Sequence, residues 1–172
     1  MAIAASWQNV PPQKNCQVQG EKLVSLGDSV RALGLDEGSV VAVSFEVPSN
    51  CKVGFVEHVE VVVSVEHPRR GEVEVVLISP SNTRTRLLGP RPRDTSDNGF
   101  SAWPLMSVET WGEKPHGSWR LYIADRWGHS FGYHGIFPVC IICHLILMAI
   151  CRGVGVRVWS VGDCNIVVHG HP

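Results

Sequence analysis

The sequence predicts an all-β domain of sandwich or jelly-roll type. Two observations carry this: apolar residues alternate at strand spacing through the middle of the chain, and Pro, Gly, Ser and Asn clusters cut that alternation at intervals of roughly eight to twelve residues. The first expected strand is Val40-Val41-Ala42-Val43-Ser44-Phe45-Glu46-Val47. From Val56 to Glu66, Val59, Val61, Val63 and Val65 fall on one face, and His58, Glu60, Val62, Ser64 and Glu66 on the other. His67-Pro68-Arg69-Arg70-Gly71 breaks the pattern, and Glu72 to Ile78 resumes it with Val73, Val75 and Leu77 in phase. A hairpin or a tight corner between antiparallel strands fits that interruption. Ser79-Pro80-Ser81-Asn82 is the next turn, Thr83 to Leu88 a short strand, Gly99-Phe100-Ser101-Ala102-Trp103 a loop, and Ser118 to Ala124 a further strand.

Composition bounds the function. At 172 residues the chain holds one ordinary domain plus a tail. A net charge of −1 argues against nucleic acid. The arginines from Arg84 to Arg93 sit in a strand and a Pro-rich loop without interleaved aromatics, and read as a solvated face. Met1 to Ser6 lacks the charged and apolar regions of a signal peptide. Cys16 and Cys51 flank a Gly-rich, charged segment, while Cys140, Cys143, Cys151 and Cys164 all lie in the last third. The first two fit either a bridge or two unrelated buried thiols.

Few residues offer catalytic chemistry. Ser101, His116 and Asp125 supply the residue types of a triad, but no Gly-x-Ser-x-Gly elbow or other local context activates a serine. Asp94, Asp97, Asn98 and Gly99 form an oxygen-rich loop without EF-hand spacing, so a turn held by Asx side chains is expected rather than a metal site. Phe100, Trp103, Trp111 and Trp119 are each near a Gly or Pro and too irregular for a helical stripe. Rings anchoring loops to a sandwich core are the plain reading; an interface is the alternative.

Six segments occur in an order that resembles the P domain, or Homo B domain, of the kexin- and furin-like proprotein convertases. They are Phe55-Val56-Glu57-His58-Val59, His67 to Glu72, Leu77 to Arg84, Arg91-Pro92-Arg93-Asp94, Asn98 to Ser107 and Trp111 to Leu121. The resemblance covers about residues 5–136 and implies a jelly-roll β-sandwich of the galactose-binding-domain-like type. Residues 1–15 then read as the end of a catalytic-domain linker, 16–136 as the P domain and 137–172 as a divergent tail. Cys16 and Cys51 occupy positions where relatives carry a disulfide, and Trp103, Trp111, Trp119 and Arg70 become candidates for the interface to a protease domain.

The resemblance also implies a role. Such domains pack on a subtilisin-like catalytic domain, stabilise it and influence its calcium and pH dependence without supplying catalytic residues. This chain is therefore expected to lack a catalytic triad and to be inactive alone, with calcium held by the parent protease and the secretory pathway, Golgi or extracellular, as its compartment. Arg69-Arg70-Gly71-Glu72 stands where many relatives have Arg-Arg-Gly-Asp, a sequence like an integrin ligand. The longer glutamate favours a charged structural turn instead. A free-standing β-sandwich module binding protein or carbohydrate is the alternative function.

The resemblance breaks between Ile136 and Phe137. Relatives continue to a Trp-x-Leu-x-Leu-Tyr-Gly strand that completes the barrel, and this closing strand is expected to be missing here. The stretch Phe137 to Ile150 is apolar but shorter than the ~20 residues of a spanning helix, so membrane association of the tail is not expected. Its Cys140-x-x-Cys143-His144 run resembles a haem attachment site without cytochrome-like surroundings. A break of this kind is what intron read-through or alternative splicing would produce. The tail is expected to be the least structured part of the chain.

Overall fold

A computed structural model describes residues 12–23, 40–126, 131–132 and 158–172. The strands are β1 (Lys14–Gln19), β2 (Glu21–Leu23), β3 (Val40–Val47), β4 (Phe55–Glu66), β5 (Val73–Ile78), β6 (Arg84–Leu88), β7 (Phe100–Ser107), β8 (Gly117–Asp125), β9 (Phe131–Gly132) and β10 (Val158–His171). One sheet runs β1-β10-β4-β7, with β9 alongside β10; the other runs β2-β3-β8-β5-β6. With the short β2 and β9 set aside, the principal strands order first, eighth, third, sixth in one sheet and second, seventh, fourth, fifth in the other. That is the double Greek key of a jelly roll.

The alternation read from the sequence faces the two sheets toward each other. Val59, Val61, Val63 and Val65 of β4 meet Val75 and Leu77 of β5, Val43 and Phe45 of β3, and Trp119, Leu121 and Ile123 of β8 in one buried cluster. Val76, Ile78, Tyr122, Ala124, Val40 and Ala42, from the alternate positions of the second sheet, are buried as well. The outward face of that sheet is therefore apolar over part of its area, beside Glu46, Arg84, Arg86 and Arg120.

The structure corrects the expected ending. Val158–His171 forms the eighth principal strand, inserted between β1 and β4: Ile166 is opposite Val18 on one side and Val61 on the other. Ile166, Val168 and Gly170 are buried at alternate positions of this strand, so these residues supply the strand that the divergence at Phe137 suggested was lost. Gly170 is required by close approach, since a Cβ there would stand 1.9 Å from the carbonyl oxygen of Phe55. Residues 5–11, Phe137 to Ile150 with its Cys140, Cys143 and His144, and Cys151 lie outside the described residues.

Of the two readings open for His67 to Gly71, the structure takes the corner and not the hairpin, because β4 and β5 belong to different sheets. The loop expected around Phe100 is the strand β7, paired with β4 from Val59↔Ser107 to Val65↔Phe100. Ala102 at φ 44° and the register shift between Val63 and Val65 mark a bulge that hides its alternation.

A disulfide joins Cys16 of β1 to Cys51, across 35 residues. It fastens the outer strand of the first sheet to the connection between β3 and β4.

Candidate functional site

At the corner between the sheets, residues 70–72 form a single 3-10 turn. Gly71 is packed so closely that a Cβ would lie 2.2 Å from the Asp94 carbonyl oxygen and 2.3 Å from that of Arg91. The Arg70 Nε donates to Asp94 Oδ1 at 3.1 Å and Oδ2 at 2.9 Å, and Arg91 reaches Oδ2 at 3.4 Å. Arg91 Nη2 also donates to the Arg70 carbonyl at 3.0 Å. Both guanidinium groups lie over the Phe100 ring, at 6.0 and 5.6 Å from its centroid. Burial alone would raise the Asp94 pKa, but the bond from Arg70, the Ser96 amide and the two arginine charges together hold it below the ordinary value. Arg70, expected at an interface, is therefore engaged within the chain, and Asp94 is its ion-pair partner.

Beneath the corner lies a buried cluster of His67, Glu72 and Asp125, whose potential ligand atoms are within 4.8 Å of one another. The Arg69 amide donates to His67 Nδ1 at 3.1 Å, so a neutral ring carries its proton on Nε2. That nitrogen faces Asp125 Oδ2 at 3.7 Å as a donor, not as a metal-ligating lone pair. Arg69 lies 3.4 Å from Glu72, and Arg126 lies 3.0 Å from Glu74. The arrangement is a charge network in which His67, Glu72, Glu74 and Asp125 are buried and Arg69 and Arg126 reach them from the partly exposed rim. Glu72, at 1% exposure, is not displayed for a receptor. Sequence reasoning did not find this cluster, because His67 to Glu72 read as a turn and Asp125, 53 residues after Glu72, joins them only through the fold.

The triad types do not assemble into a reactive group. Asp125 is sealed beside His67, His116 Nε2 lies 3.3 Å from the Cys51 carbonyl, and Ser101 is exposed on β7.

The remaining distinctive surface is apolar. Along β7 and the turn after it, Trp103, Met106, Val108 and Trp111 are exposed, with Trp103 at 50% and Trp111 at 68%. Among the described residues β7 pairs with β4 alone, leaving its other edge open. Pro104 suits such an edge because it has no N–H to offer. Trp111 stands on a rigid turn: Gly112 N donates to Val56 O at 2.7 Å, Val56 N to Glu113 O at 2.9 Å, and Trp111 N to Val108 O at 3.1 Å. Nearby Phe55 is half exposed beneath the Lys114 ammonium, 3.7 Å from its ring centroid. Trp119 departs from the expectation for an interface. It is 0% exposed, and its Nε1 donates to the Pro115 carbonyl at 2.8 Å, which makes it a core residue.

Comparison with known proteins places this geometry. Residues 56–138 match the family model "Proprotein convertase P-domain". The chain is 40% identical over 126 residues to the PC3-like endoprotease variant B of Hydra vulgaris, covering 72% of this chain and 17% of that protein. It is 36% identical over 131 residues to Furin-like protease 1 of Drosophila melanogaster, covering 76% and 10%. Against human Proprotein convertase subtilisin/kexin type 6 the identity is 37% over 122 residues, covering 71% and 12%. The chain thus spans less than a fifth of the length of these curated relatives. Among solved structures, the serine protease of Aeromonas sobria in complex with its chaperone aligns with a TM-score of 0.55 at 21% identity, covering 99% of this chain and 29% of that one. That last likeness bears on fold alone.

Proposed function

Residues 56–138 belong to the proprotein convertase P-domain family, and from that premise we propose that this chain is the non-catalytic domain that packs against a subtilisin/kexin-type serine endoprotease domain. In this reading it stabilises the protease and tunes its calcium and pH dependence, the calcium being held by the catalytic partner. The observation that carries the proposal is the row Trp103, Met106, Val108 and Trp111 along the open edge of β7. Large aromatics presented on a rigid turn are the usual energetic anchors of an interface, and an uncovered apolar edge is otherwise an aggregation hazard. The Cys16–Cys51 disulfide supports an oxidising compartment, consistent with a secretory-pathway protein.

The test is co-expression of the chain with a furin-like catalytic domain stripped of its own P domain. Folded protease and cleavage of a dibasic fluorogenic peptide should be recovered, and recovered less with Trp103→Ala/Trp111→Ala. No gain in protease yield, stability or cleavage would instead favour a free-standing β-sandwich module.

A further inference from the structure

The exposed Trp103 ring is supported from behind by residues that the docking role does not use. Trp103 is the Cα partner of Val63, which is fully buried, and Leu105, the partner of Val61, is buried on the same face. Alternation alone would therefore turn Trp103 inward, yet half of it is exposed. The bulge re-aims it: the register shifts between Val63 and Val65, and Ala102, at φ 44°, donates its N–H to Ser64 Oγ at 3.1 Å. The indole and the Phe100 ring then meet edge to face, with centroids 6.1 Å apart and planes at 68°.

We propose that Phe100 is a positioning residue for docking: gripped by Arg70 and Arg91, it holds the Trp103 ring as an anchor against an apolar patch of the protease domain. Phe100 takes this part only with the docking role proposed above, which it deepens. A large side chain ordered before association loses less entropy on binding. Edge-to-face rings favour one relative orientation, because the positive rim of one meets the negative face of the other. Trp103 needs that support, since no hydrogen bond of the chain engages its indole N–H among the described residues. The same N–H is left to donate to a carbonyl or carboxylate of the partner.

Phe100 is itself immobilised. It is 9% exposed, and the Arg70 and Arg91 guanidinium groups lie 6.0 and 5.6 Å from its ring centroid, within the reach of a cation–π contact. Both cations are bound on their other side. Arg70 Nε donates to the two Asp94 oxygens at 3.1 and 2.9 Å, and Arg91 donates to the Gly89 and Arg70 carbonyls at 3.1 and 3.0 Å. Contacts thus run from Asp94 through the two arginines and Phe100 to Trp103. Arg70 serves the interface through Phe100 and need not touch the partner, which reconciles its place among the candidate interface residues with its engagement inside the corner.

Two measurements on the full chain test this. The indole ¹H–¹⁵N resonance of Trp103, assigned by its loss in Trp103→Ala, should move in Phe100→Leu and in Asp94→Asn while that of Trp111 stays in place; no protease is needed. The second is binding to a furin-like catalytic domain stripped of its own P domain. Phe100→Leu should weaken it about two- to tenfold, the span of an aromatic pair, and Asp94→Asn should act in the same direction. In a Trp103→Ala background neither should have a further effect, because a residue that acts through Trp103 then has nothing to position. Urea unfolding checks that each variant is folded, and Asp94→Asn, which alters neither ring, keeps the test available should Phe100→Leu unfold. An unmoved Trp103 resonance in both variants, unchanged binding in both, or losses of the same size with and without Trp103 would overturn the proposal and leave the docking role standing. No binding by the parent chain would overturn the docking role and this proposal with it.

Discussion

Val61 of β4 and Ile166 of β10 are Cα partners in the first sheet, and neither side chain has exposed surface. The final strand is thus part of the core and not an appendage to it. Ile166→Ala should cost about 2–5 kcal/mol, the range for deleting a buried branched side chain and leaving a cavity. Urea unfolding measures this directly. A loss below about 0.5 kcal/mol, the scatter of ordinary surface changes, would show that β10 is not seated between β1 and β4.

The disulfide gives a second, independent expectation. Cys16 and Cys51 close a loop of 35 residues, and the chain-entropy model assigns such a cross-link about 3–4 kcal/mol. Cys16→Ser/Cys51→Ser should lower stability by that amount. Reductant should then destabilise the parent and leave the double variant unaffected; equal stability of the two under oxidising conditions would contradict the bridge.

Much of this fold is legible in the sequence where side chains alternate without interruption. Val59 to Val65 and Val73 to Leu77 show their inward faces at once, because their apolar residues recur at every second position without a break. β1 is harder to see, since Lys14 shares the inner face with Cys16 and Val18, and Asn15, Gln17 and Gln19 make the outer one wholly polar. β7 is disguised by the bulge at Ala102 and by Pro104. β10 is disguised in a similar way: its register slips between Val161 and Cys164, which breaks the run that Ile166, Val168 and Gly170 complete. Of the four candidate interface residues, Trp103 and Trp111 are exposed, whereas Trp119 is buried and Arg70 is tied to Asp94. Spacing in the chain cannot separate these cases, because exposure depends on which sheet edge a ring meets. The grip of Arg70 on Phe100 is invisible for the same reason, being created where the corner meets β7.

Asp94 makes stability depend on acid in a definite direction. Burial raises its pKa, but the Arg70 bond, the Ser96 amide and the charges of Arg70 and Arg91 bring it below the ordinary 3.8. A carboxyl depressed in the folded state contributes stability that is complete above the unfolded value and lost as pH falls through the folded one. Asp94→Asn should therefore flatten the fall in stability below pH 3.8 and leave the slope at neutral and alkaline pH as it was. An acid slope identical to that of the parent would remove Asp94 from the account.

Trp119 and Trp111 should respond to the same substitution in opposite ways. Trp119 fills the core and satisfies the Pro115 carbonyl, so Trp119→Ala should cost about 3–5 kcal/mol in urea unfolding. Trp111 is held out on a turn by its backbone and not by its ring, so Trp111→Ala should change stability by no more than about 0.5 kcal/mol. Under the docking role proposed above its effect belongs to association, where an anchor residue at an interface centre contributes about 2 kcal/mol or more, roughly thirtyfold in Kd. Surface plasmon resonance against a convertase catalytic domain would read that change on a variant known to be folded. Undiminished binding by Trp111→Ala would move the docking surface away from the open edge of β7, while a large loss of stability would mean that the ring packs against part of the chain itself.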